Sequence, residues 1–267
     1  MHALLNVAVM AARRGGAVLG RNFNKRDKLT VEKKGRNDFV SSADLAAERA
    51  IIDVIHKHYP EHAILAEESG TSGDSDHIWI IDPLDGTTNY LHGFPVFAVS
   101  IGLQIKGRLE HAVVYDPMRE ELFTASRGEG AMLDDHKIRV SGRRDLTTSV
   151  VGIGFPYIQS DKAFEHYLAM IGKIEKNTSG VRRPGAAAID LCYVACGRMD
   201  AFWETGLKPW DLAAGTLIIR EAGGIVSALD GSENHLETGH VLAGTPGIYR
   251  DLAKLCGKEI KSILELR

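Results

Sequence analysis

Two acidic residues stand close together in the stretch DPLDGTT, which begins at Asp82. Asp82 and Asp85 follow the apolar run IWII, which predicts a buried strand that ends where the acids begin. Pro83 restricts the backbone on both sides, so we expect a rigid bend that presents both acids to one side. Two carboxylates this close repel each other unless a cation holds them, and the stretch therefore predicts a metal site.

The residues that follow the two acids suit a phosphate group. Gly86 lets the backbone come close to a ligand, because glycine has no side chain. Thr87 and Thr88 are predicted to open a helix, and the first amides of a helix attract anions. We therefore expect a metal site and a phosphate site side by side.

Further acids stand at the ends of other predicted elements, namely Asp44, Glu67, Glu68 and Asp211. Mg²⁺ takes a few carboxylates from separate segments and keeps room for phosphate, so this distribution favours it. Taken singly, Asp44 and Asp211 are more typical of helix N-caps. The pattern leaves both roles open for these two residues.

Three zones of different periodicity must position these side chains. The first zone is helical, with one helix from Leu4 to Leu19 and a second that opens at Ser41 or Ser42. The second zone, from about 64 to 140, alternates apolar runs with turns and predicts a large, mostly antiparallel sheet. The third zone mixes helices near 161–175, 186–196 and 211–222 with the strands VVGIGFP, GIVSAL and HVLAG. This alternation predicts a layered α/β (α+β) sandwich.

Length and composition indicate an ordinary globular protein. The 267 residues suit a single catalytic domain, 1–267, with two intimate lobes at roughly 1–145 and 146–267. No apolar run approaches the roughly 18 residues that cross a bilayer, so we expect no membrane association. The formal charge of -3 argues against broad electrostatic binding of nucleic acid.

The three cysteines predict a reducing compartment, the cytoplasm, because an odd number cannot form a complete set of disulfides. Cys192 and Cys196 lie four residues apart on one face of a predicted helix, among apolar neighbours. Buried packing explains this pair better than zinc binding, since no histidine stands at the spacing of a zinc finger.

Several motifs in a fixed order resemble the inositol monophosphatase family. They are NDFVSSAD at 37–44, EES at 67–69, WIIDPLDGTTN at 79–89, PWDLAAG at 209–215 and EAGG at 221–224. The chain is most similar to the bacterial inositol-1-monophosphatases of the extragenic-suppressor type. The resemblance implies the αβαβα sandwich of the magnesium-dependent, lithium-sensitive sugar phosphatases, and it implies a homodimer.

The resemblance also implies roles for the acids. Glu67, Asp82 and the carbonyl of Leu84 are expected to bind a first Mg²⁺, and Asp82, Asp85 and Asp211 a second. Glu67 also reaches a third, weaker ion, so that two to three ions occupy each site. Asp44, Glu67 and Thr87 form the catalytic set, in which Asp44 and Thr87 position a water that attacks phosphorus in line.

The substrate of such an enzyme is a small phosphorylated polyol, such as myo-inositol 1-phosphate. By resemblance, its contacts are Gly86, Thr87, Arg182, Gly185, Ala186, Ala187, Glu204 and Asp211. Glu204 is expected to accept hydrogen bonds from the sugar, although a surface acid at a strand end is the simpler alternative. Arg182 and Arg183 precede the GAAA loop, where they could steer an anion, lie at a dimer interface or be solvated. Ala186 replaces the Ser or Thr of many relatives.

Two other classes of function stay open. A related enzyme could prefer bisphosphorylated nucleosides, fructose 1,6-bisphosphate or histidinol phosphate, although DGTTN differs from the DGTKE typical of the nucleotidases. The fold could also serve as a binding scaffold. Some bacterial relatives associate with the transcription antitermination machinery and affect ribosomal RNA synthesis, so the resemblance admits RNA polymerase as a partner.

Overall fold

The structure, a computed structural model, describes residues 2–25, 27, 29–35, 38–155 and 161–265. Asn37, the first residue of NDFVSSAD, and Pro156, the last of VVGIGFP, lie outside these ranges. No helix in the described ranges has both the length and the apolar character needed to span a bilayer.

Helices and strands alternate along the described chain. The helices are α1 (Ala3–Phe23), α2 (Ser42–His58), α3 (Thr87–His92), α4 (Asp161–Asn177), α5 (Ala187–Ala195), α6 (Pro209–Glu221), α7 (His235–Thr238) and α8 (Pro246–Glu265). The strands are β1 (Val31–Gly35), β2 (Asp38–Ser41), β3 (Ala63–Ala66), β4 (Gly70–Ser72), β5 (His77–Asp85), β6 (Ala98–Ile105), β7 (Arg108–Asp116), β8 (Glu121–Ser126), β9 (Gly130–Leu133), β10 (His136–Ile138), β11 (Val150–Ile153), β12 (Gly180–Arg182), β13 (Ala201–Glu204), β14 (Ile225–Ser227) and β15 (Val241–Gly244).

The larger sheet has eight strands in the order β10-β9-β8-β7-β6-β5-β3-β4. Its neighbours are antiparallel except β3 and β5, which run parallel. The predicted large, mostly antiparallel sheet is thus confirmed. A smaller sheet has five strands in the order β12-β11-β13-β15-β14, and β1 and β2 form a separate antiparallel pair.

Helices and sheets stack in five layers. Helices α1 and α2 pack on one face of the larger sheet, and α5 and α6 pack on its other face. The smaller sheet lies against the far side of α5 and α6, and its outer face is covered by α4 and α8. Three apolar clusters hold the layers together: one lies under α1 and α2, one surrounds α5 and α6 between the two sheets, and one lies under α4 and α8.

The middle helices are buried on both faces because each face meets a sheet. In α6, Leu212 to Ile219 are all buried, and α5 buries both Cys192 and its neighbour Leu191. All three cysteines are free thiols, and Cys192 and Cys196 belong to the core between the two sheets, as the packing hypothesis expects.

Three features differ from the sequence patterns. The strand predicted to end at Ile81 continues to Asp85, and the C-terminal helix α8 and the hairpin of β1 and β2 carry no matching prediction. The buried apolar residues of α8 recur every three to four residues, at Ile248, Leu252, Cys256, Ile260 and Ile263, so the sequence does contain the pattern of an amphipathic helix there. The division into lobes near residue 145 stays a prediction.

Candidate functional site

The acids of DPLDGTT lie on an irregular part of β5. Between Asp82 and Asp85, β5 advances three residues while β6 advances two, from Ser100 to Ala98. Side chains three apart on a regular strand point to opposite faces, and the extra residue of such a bulge brings them to the same side. Pro83 fits this position, because it has no amide hydrogen for the sheet. The Leu84 amide donates to Asp82 Oδ1 at 2.9 Å, which holds that carboxylate in place.

Gly86 forms the turn between β5 and α3. Its φ of 94° lies in the left-handed region, and an added Cβ would stand 2.9 Å from the Val96 carbonyl and 3.3 Å from the Cβ of Ala186. A side chain therefore does not fit here, and the turn lies directly against the GAAA loop. Thr87 begins α3, as the sequence predicts.

Asp85 is held by the first turn of α5. Its Oδ2 accepts a hydrogen bond from the Ala188 amide at 2.7 Å, and the amides of Ala187 and Ile189 also stabilise its charged form. Burial and the nearby charge of Asp211 nevertheless raise the pKa of Asp85. The first turn of α5 thus supports a site carboxylate through its backbone amides, a role that the sequence of this turn does not reveal.

Asp211 performs the helix-capping role and also joins the acidic cluster. It is the third residue of α6, and its Oδ2 accepts a hydrogen bond from the Lys208 amide at 2.7 Å. One oxygen each of Asp82, Asp85 and Asp211 lies within 4.8 Å of the others. The two roles that the sequence left open are therefore compatible.

Burial and repulsion dominate the electrostatics of this cluster. Burial raises the pKa of Asp82 well above its ordinary value, and the charges of Glu67, Asp85 and Asp211 raise it further. Burial also raises the pKa of Asp211, against the opposing effect of the Lys208 amide. Without a cation, the protein can keep three carboxylates together only by holding protons on them.

Glu67 lies beside this cluster in the turn after β3. It is close enough to Asp82 to hydrogen-bond with it, although its oxygens do not belong to the group of three within 4.8 Å. Its amide donates to the Ile81 carbonyl at 3.1 Å, which extends the pairing of β3 with β5 by one residue. The parallel pairing therefore brings Glu67 to the residue that precedes Asp82.

Asp44 and Thr87 are in contact next to Leu84. The Thr87 hydroxyl lies 3.1 Å from Asp44 Oδ1 and 3.0 Å from the Leu84 carbonyl. Asp44 Oδ2 accepts hydrogen bonds from the Ser41 amide at 3.0 Å and from the Ser41 hydroxyl at 2.5 Å, so it also closes the capping box of α2. Burial raises the pKa of Asp44, and these hydrogen bonds oppose the shift.

The Asn89 side chain links α3 to the chain segments around Val96 and Gly185. Its amide nitrogen lies 2.9 Å from the carbonyls of Val96 and Pro184 and 3.2 Å from that of Gly185. Gly185 has a φ of 88°, and a Cβ there would approach the Asn89 side chain to 3.2 Å. The sequence reveals Asn89 only as the last letter of DGTTN, because Pro184 and Gly185 are about a hundred residues away in the chain.

Glu204 ends β13 close to Asp85 and Asp211. Burial and these two charges raise the pKa of Glu204 to about 8, and Arg183 opposes the shift. An added Cβ on Gly154 would overlap the Glu204 carboxylate, so glycine is needed for Glu204 to lie there. The alternative of an ordinary surface acid does not fit this half-buried position.

Asp190 is a second buried acid near Glu204 that the sequence did not indicate. It is 1% exposed, and within the described ranges its Oδ1 has no hydrogen-bond partner. Burial raises the pKa of Asp190 most, and the charges of Asp85 and Glu204 raise it further. In the sequence, Asp190 stands among apolar residues at helical spacing, and this pattern is the one indication that its carboxylate is buried.

The two arginines have different surroundings. The Arg182 guanidinium donates to the Val181 carbonyl at 2.9 Å on an exposed strand end. Arg183 lies over the Phe155 ring at 5.6 Å, and its charge lowers the pKa of Glu204 and Asp190. Arg183 is therefore the arginine that the structure brings near the acids.

The raised carboxyl pKa values predict how stability depends on pH. A carboxyl whose pKa is higher in the folded state makes the folded state bind more protons, so stability falls as pH rises through the folded pKa. A histidine whose pKa is lowered on folding, such as His235 with a pKa of about 4, makes stability rise with pH, but only below the ordinary histidine pKa of 6.5. From pH 6.5 to about 8, the pKa of Glu204, the acids therefore dominate.

We expect the thermal midpoint of the chelated protein to fall by a few degrees across this interval, and saturating Mg²⁺ to reduce the fall. Thermal unfolding in EDTA and in Mg²⁺, over a series of buffers, measures both curves. A midpoint that rises with pH in EDTA would contradict the acidic-cluster electrostatics.

The comparisons with known proteins agree with this geometry. The model of the "Inositol monophosphatase family" matches residues 1–264. The Nus factor SuhB of Escherichia coli K12 is 48% identical over 267 residues, which cover 99% of this chain and 100% of the relative.

Two solved structures are similar throughout. The extragenic suppressor protein suhB from Bartonella henselae is 43% identical, with a TM-score of 0.93, and the match covers 96% of this chain and 99% of that chain. The inositol monophosphatase from Anabaena (Nostoc) sp. PCC 7120 is 40% identical, with a TM-score of 0.85, and the match covers 96% and 95%. The chain therefore belongs to the inositol monophosphatase family.

Proposed function

We propose that the protein is a Mg²⁺-dependent phosphomonoesterase that hydrolyses myo-inositol 1-phosphate and related small phosphomonoesters. The observation that carries this proposal is the meeting of Asp82, Asp85 and Asp211 within 4.8 Å, beside the turn at Gly86. Family membership supports a phosphatase, and the Anabaena relative is named an inositol monophosphatase.

The donor set fits a hard divalent cation. All of its groups are oxygens, and two of the three carboxylates are buried, where a cation would offset the burial and the repulsion that raise their pKa values. Glu67, Asp82 and the Leu84 carbonyl would hold one Mg²⁺, and Asp82, Asp85 and Asp211 a second. When bound, the cations supply positive charge that activates water and stabilises the departing oxygen.

Asp44 and Thr87 would orient the attacking water. The two contacts of Asp44 with Ser41 leave its Oδ1 directed at the Thr87 hydroxyl. If that hydroxyl donates its proton to Asp44, its oxygen is free to accept a hydrogen bond from water. The amides of Gly86 and Thr87 would receive phosphate oxygens, because Gly86 leaves no side chain in the way.

Glu204 would recognise the polyol. Its half-buried carboxylate lies beside the Asp85 and Asp211 charges and next to the side-chain-free position Gly154. A carboxylate accepts hydrogen bonds from hydroxyl groups, whereas the cations contact the phosphate. Arg182, Gly185, Ala186 and Ala187 complete the proposed substrate side, with Ala187 acting through its amide on Asp85.

We expect Glu204→Gln to weaken the use of inositol 1-phosphate roughly tenfold more than that of glycerol 2-phosphate. Bound Mg²⁺ would offset the Asp211 and Asp85 charges that, together with burial, raise the pKa of Glu204, and a hydrogen bond to the charged carboxylate contributes about 1.5–3 kcal/mol. Phosphate release from both substrates, fitted for kcat and KM, measures the difference. Asp53→Asn, an exposed acid on α2, is the control. Equal losses on both substrates would remove Glu204 from recognition.

The proposed activity is tested by a phosphate-release screen. The substrates are inositol phosphates, a bisphosphorylated nucleoside, fructose 1,6-bisphosphate and histidinol phosphate, each with and without Mg²⁺. We expect the highest kcat/KM for inositol 1-phosphate. Preference for one of the other phosphates would move the protein to the alternative enzyme class and leave the metal site intact.

A second candidate function is association with the transcription antitermination machinery. Its support is the name Nus factor carried by the Escherichia coli relative over the full length of both chains. We expect the protein to retain RNA polymerase in a pull-down from its native lysate, and a variant without phosphatase activity to retain it equally. Absence of the polymerase would exclude this role. The homodimer and the sensitivity to Li⁺ stay predictions of the family.

A further inference from the structure

An acid of α2 that carries no assigned role lies one helical turn after Asp44. Glu48 is 3% exposed and stands on the apolar face of the helix, beside Ala47 and Ile51, which are fully buried. Residues four apart share one face of a helix. A buried carboxylate is costly unless it is hydrogen-bonded, so its partners identify its role.

Both oxygens of Glu48 are occupied by the turn that carries Glu67. Oε2 accepts a hydrogen bond from the Glu68 amide and Oε1 accepts one from the Ser69 amide, each at 2.9 Å. These are the two amides that directly follow Glu67. Bonds from backbone amides to a charged carboxylate are among the stronger hydrogen bonds in proteins.

The backbone at Glu67 is therefore fixed from two sides. Its own amide donates to the Ile81 carbonyl of β5 at 3.1 Å, and the next two amides donate to Glu48 of α2. This places the Glu67 side chain beside Asp82, where its charge is felt. A ligand on a turn without these bonds would lose more conformational freedom on binding a cation.

Helix α2 thus contacts two segments that carry proposed site residues. Asp44 contacts Thr87 at 3.1 Å, and Glu48, four residues later, holds the turn of Glu67. Neither acid belongs to the group of three that lies within 4.8 Å. Their burial and hydrogen bonds indicate supporting roles.

We propose that Glu48 is a positioning residue for Mg²⁺, which acts by fixing the backbone of the ligand Glu67. This inference rests on the metal site proposed above. Residues that orient metal ligands typically contribute 10–100-fold to metal affinity or activity, and we expect a loss in this range when Glu48 no longer reaches both amides.

Three variants test this role. Glu48→Asp keeps the charge but shortens the side chain, Glu48→Gln keeps the length but presents an NH₂ group to one amide, and Asp53→Asn removes an exposed charge from the same helix. The dissociation constant of Mg²⁺ alone is measured by titration calorimetry, and the Mg²⁺-induced rise of the thermal midpoint provides a second readout. Circular dichroism of each variant confirms folding.

We expect Glu48→Asp and Glu48→Gln to bind Mg²⁺ about 10–100-fold more weakly, and Asp53→Asn to bind it as the wild type does. Unchanged affinity in Glu48→Asp, with loss only in Glu48→Gln, would overturn the positioning role in favour of a simple charge effect. If Glu48→Asp does not fold, the Mg²⁺ affinity of Glu48→Gln is compared with that of Asp53→Asn. Equal affinities of these two variants would overturn the proposal.

A double-mutant cycle identifies the path of the effect. If Glu48 acts through Glu67, adding Glu48→Asp to Glu67→Gln should cost little further affinity, whereas independent effects would add. Additive losses would overturn the proposed path. If the wild-type protein binds no Mg²⁺, the proposed metal site itself is excluded. If the wild type and both Glu48 variants bind Mg²⁺ equally well, only the proposed role of Glu48 is overturned.

Discussion

Replacing Asp211 by Asn should lower kcat/KM by about 100-fold or more while the protein stays folded. The substitution keeps the shape of the side chain but removes one of three carboxylates that lie within 4.8 Å. The second Mg²⁺ would then bind poorly, and the departing oxygen would lose charge stabilisation worth several kcal/mol, at about 1.4 kcal/mol for each factor of ten.

The structure explains why this substitution separates metal binding from helix capping. The Lys208 amide donates to Asp211 Oδ2 at 2.7 Å, and the carbonyl oxygen of an asparagine can accept the same bond. Asn is also a good residue at the start of a helix. A loss of activity at an unchanged thermal midpoint therefore reports on the charge of Asp211.

The measurement is phosphate release from inositol 1-phosphate across a Mg²⁺ titration, together with the thermal midpoint. Asp53→Asn makes the same chemical change at an exposed site and should behave as the wild type does. Activity near that of the wild type at low Mg²⁺ would show that Asp211 only caps α6, and the two-metal proposal would lose its distant ligand.

Chelation should abolish activity completely, and added Mg²⁺ should restore it. A phosphomonoester is a dianion near neutral pH, and without cations Asp82, Asp85 and Asp211 offer it no positive charge and repel it wherever they are ionised. Burial and the charges of Glu67, Asp85 and Asp211 raise the pKa of Asp82, which shows how unfavourable this site is for further negative charge. Neither substrate binding nor water activation is therefore expected in excess EDTA.

The experiment follows phosphate release in EDTA, after dialysis, and after addition of Mg²⁺ in excess of the chelator. Far-UV circular dichroism in EDTA serves as the control for folding. Full turnover in excess chelator would exclude the metal mechanism, and recovery with Mg²⁺ at an unchanged spectrum would support it.

The sequence predicts the central part of the site because those residues lie in one short stretch of the chain. The acids Asp82 and Asp85, the bend at Pro83 and the turn at Gly86 are neighbours in the chain, so residue types and spacing are sufficient to predict them. The five-layer fold was likewise predictable from the order of helical and sheet-like zones together with the family resemblance. The bulge in β5 was not, because it depends on the pairing of β5 with β6.

Contacts between distant segments do not follow from residue patterns, and for Asp211 only the family resemblance implied its meeting with Asp82 and Asp85. Asp211 joins Asp82 and Asp85 only because α6 packs between the two sheets, and its helix-start pattern is equally typical of a cap. Glu48 has no motif of its own, since its partners are amides, which every residue except proline provides. The sequence specifies the chemistry of each side chain. The hydrogen-bond partner of a carboxylate depends on the tertiary structure, because packing decides which backbone segment comes within hydrogen-bonding distance.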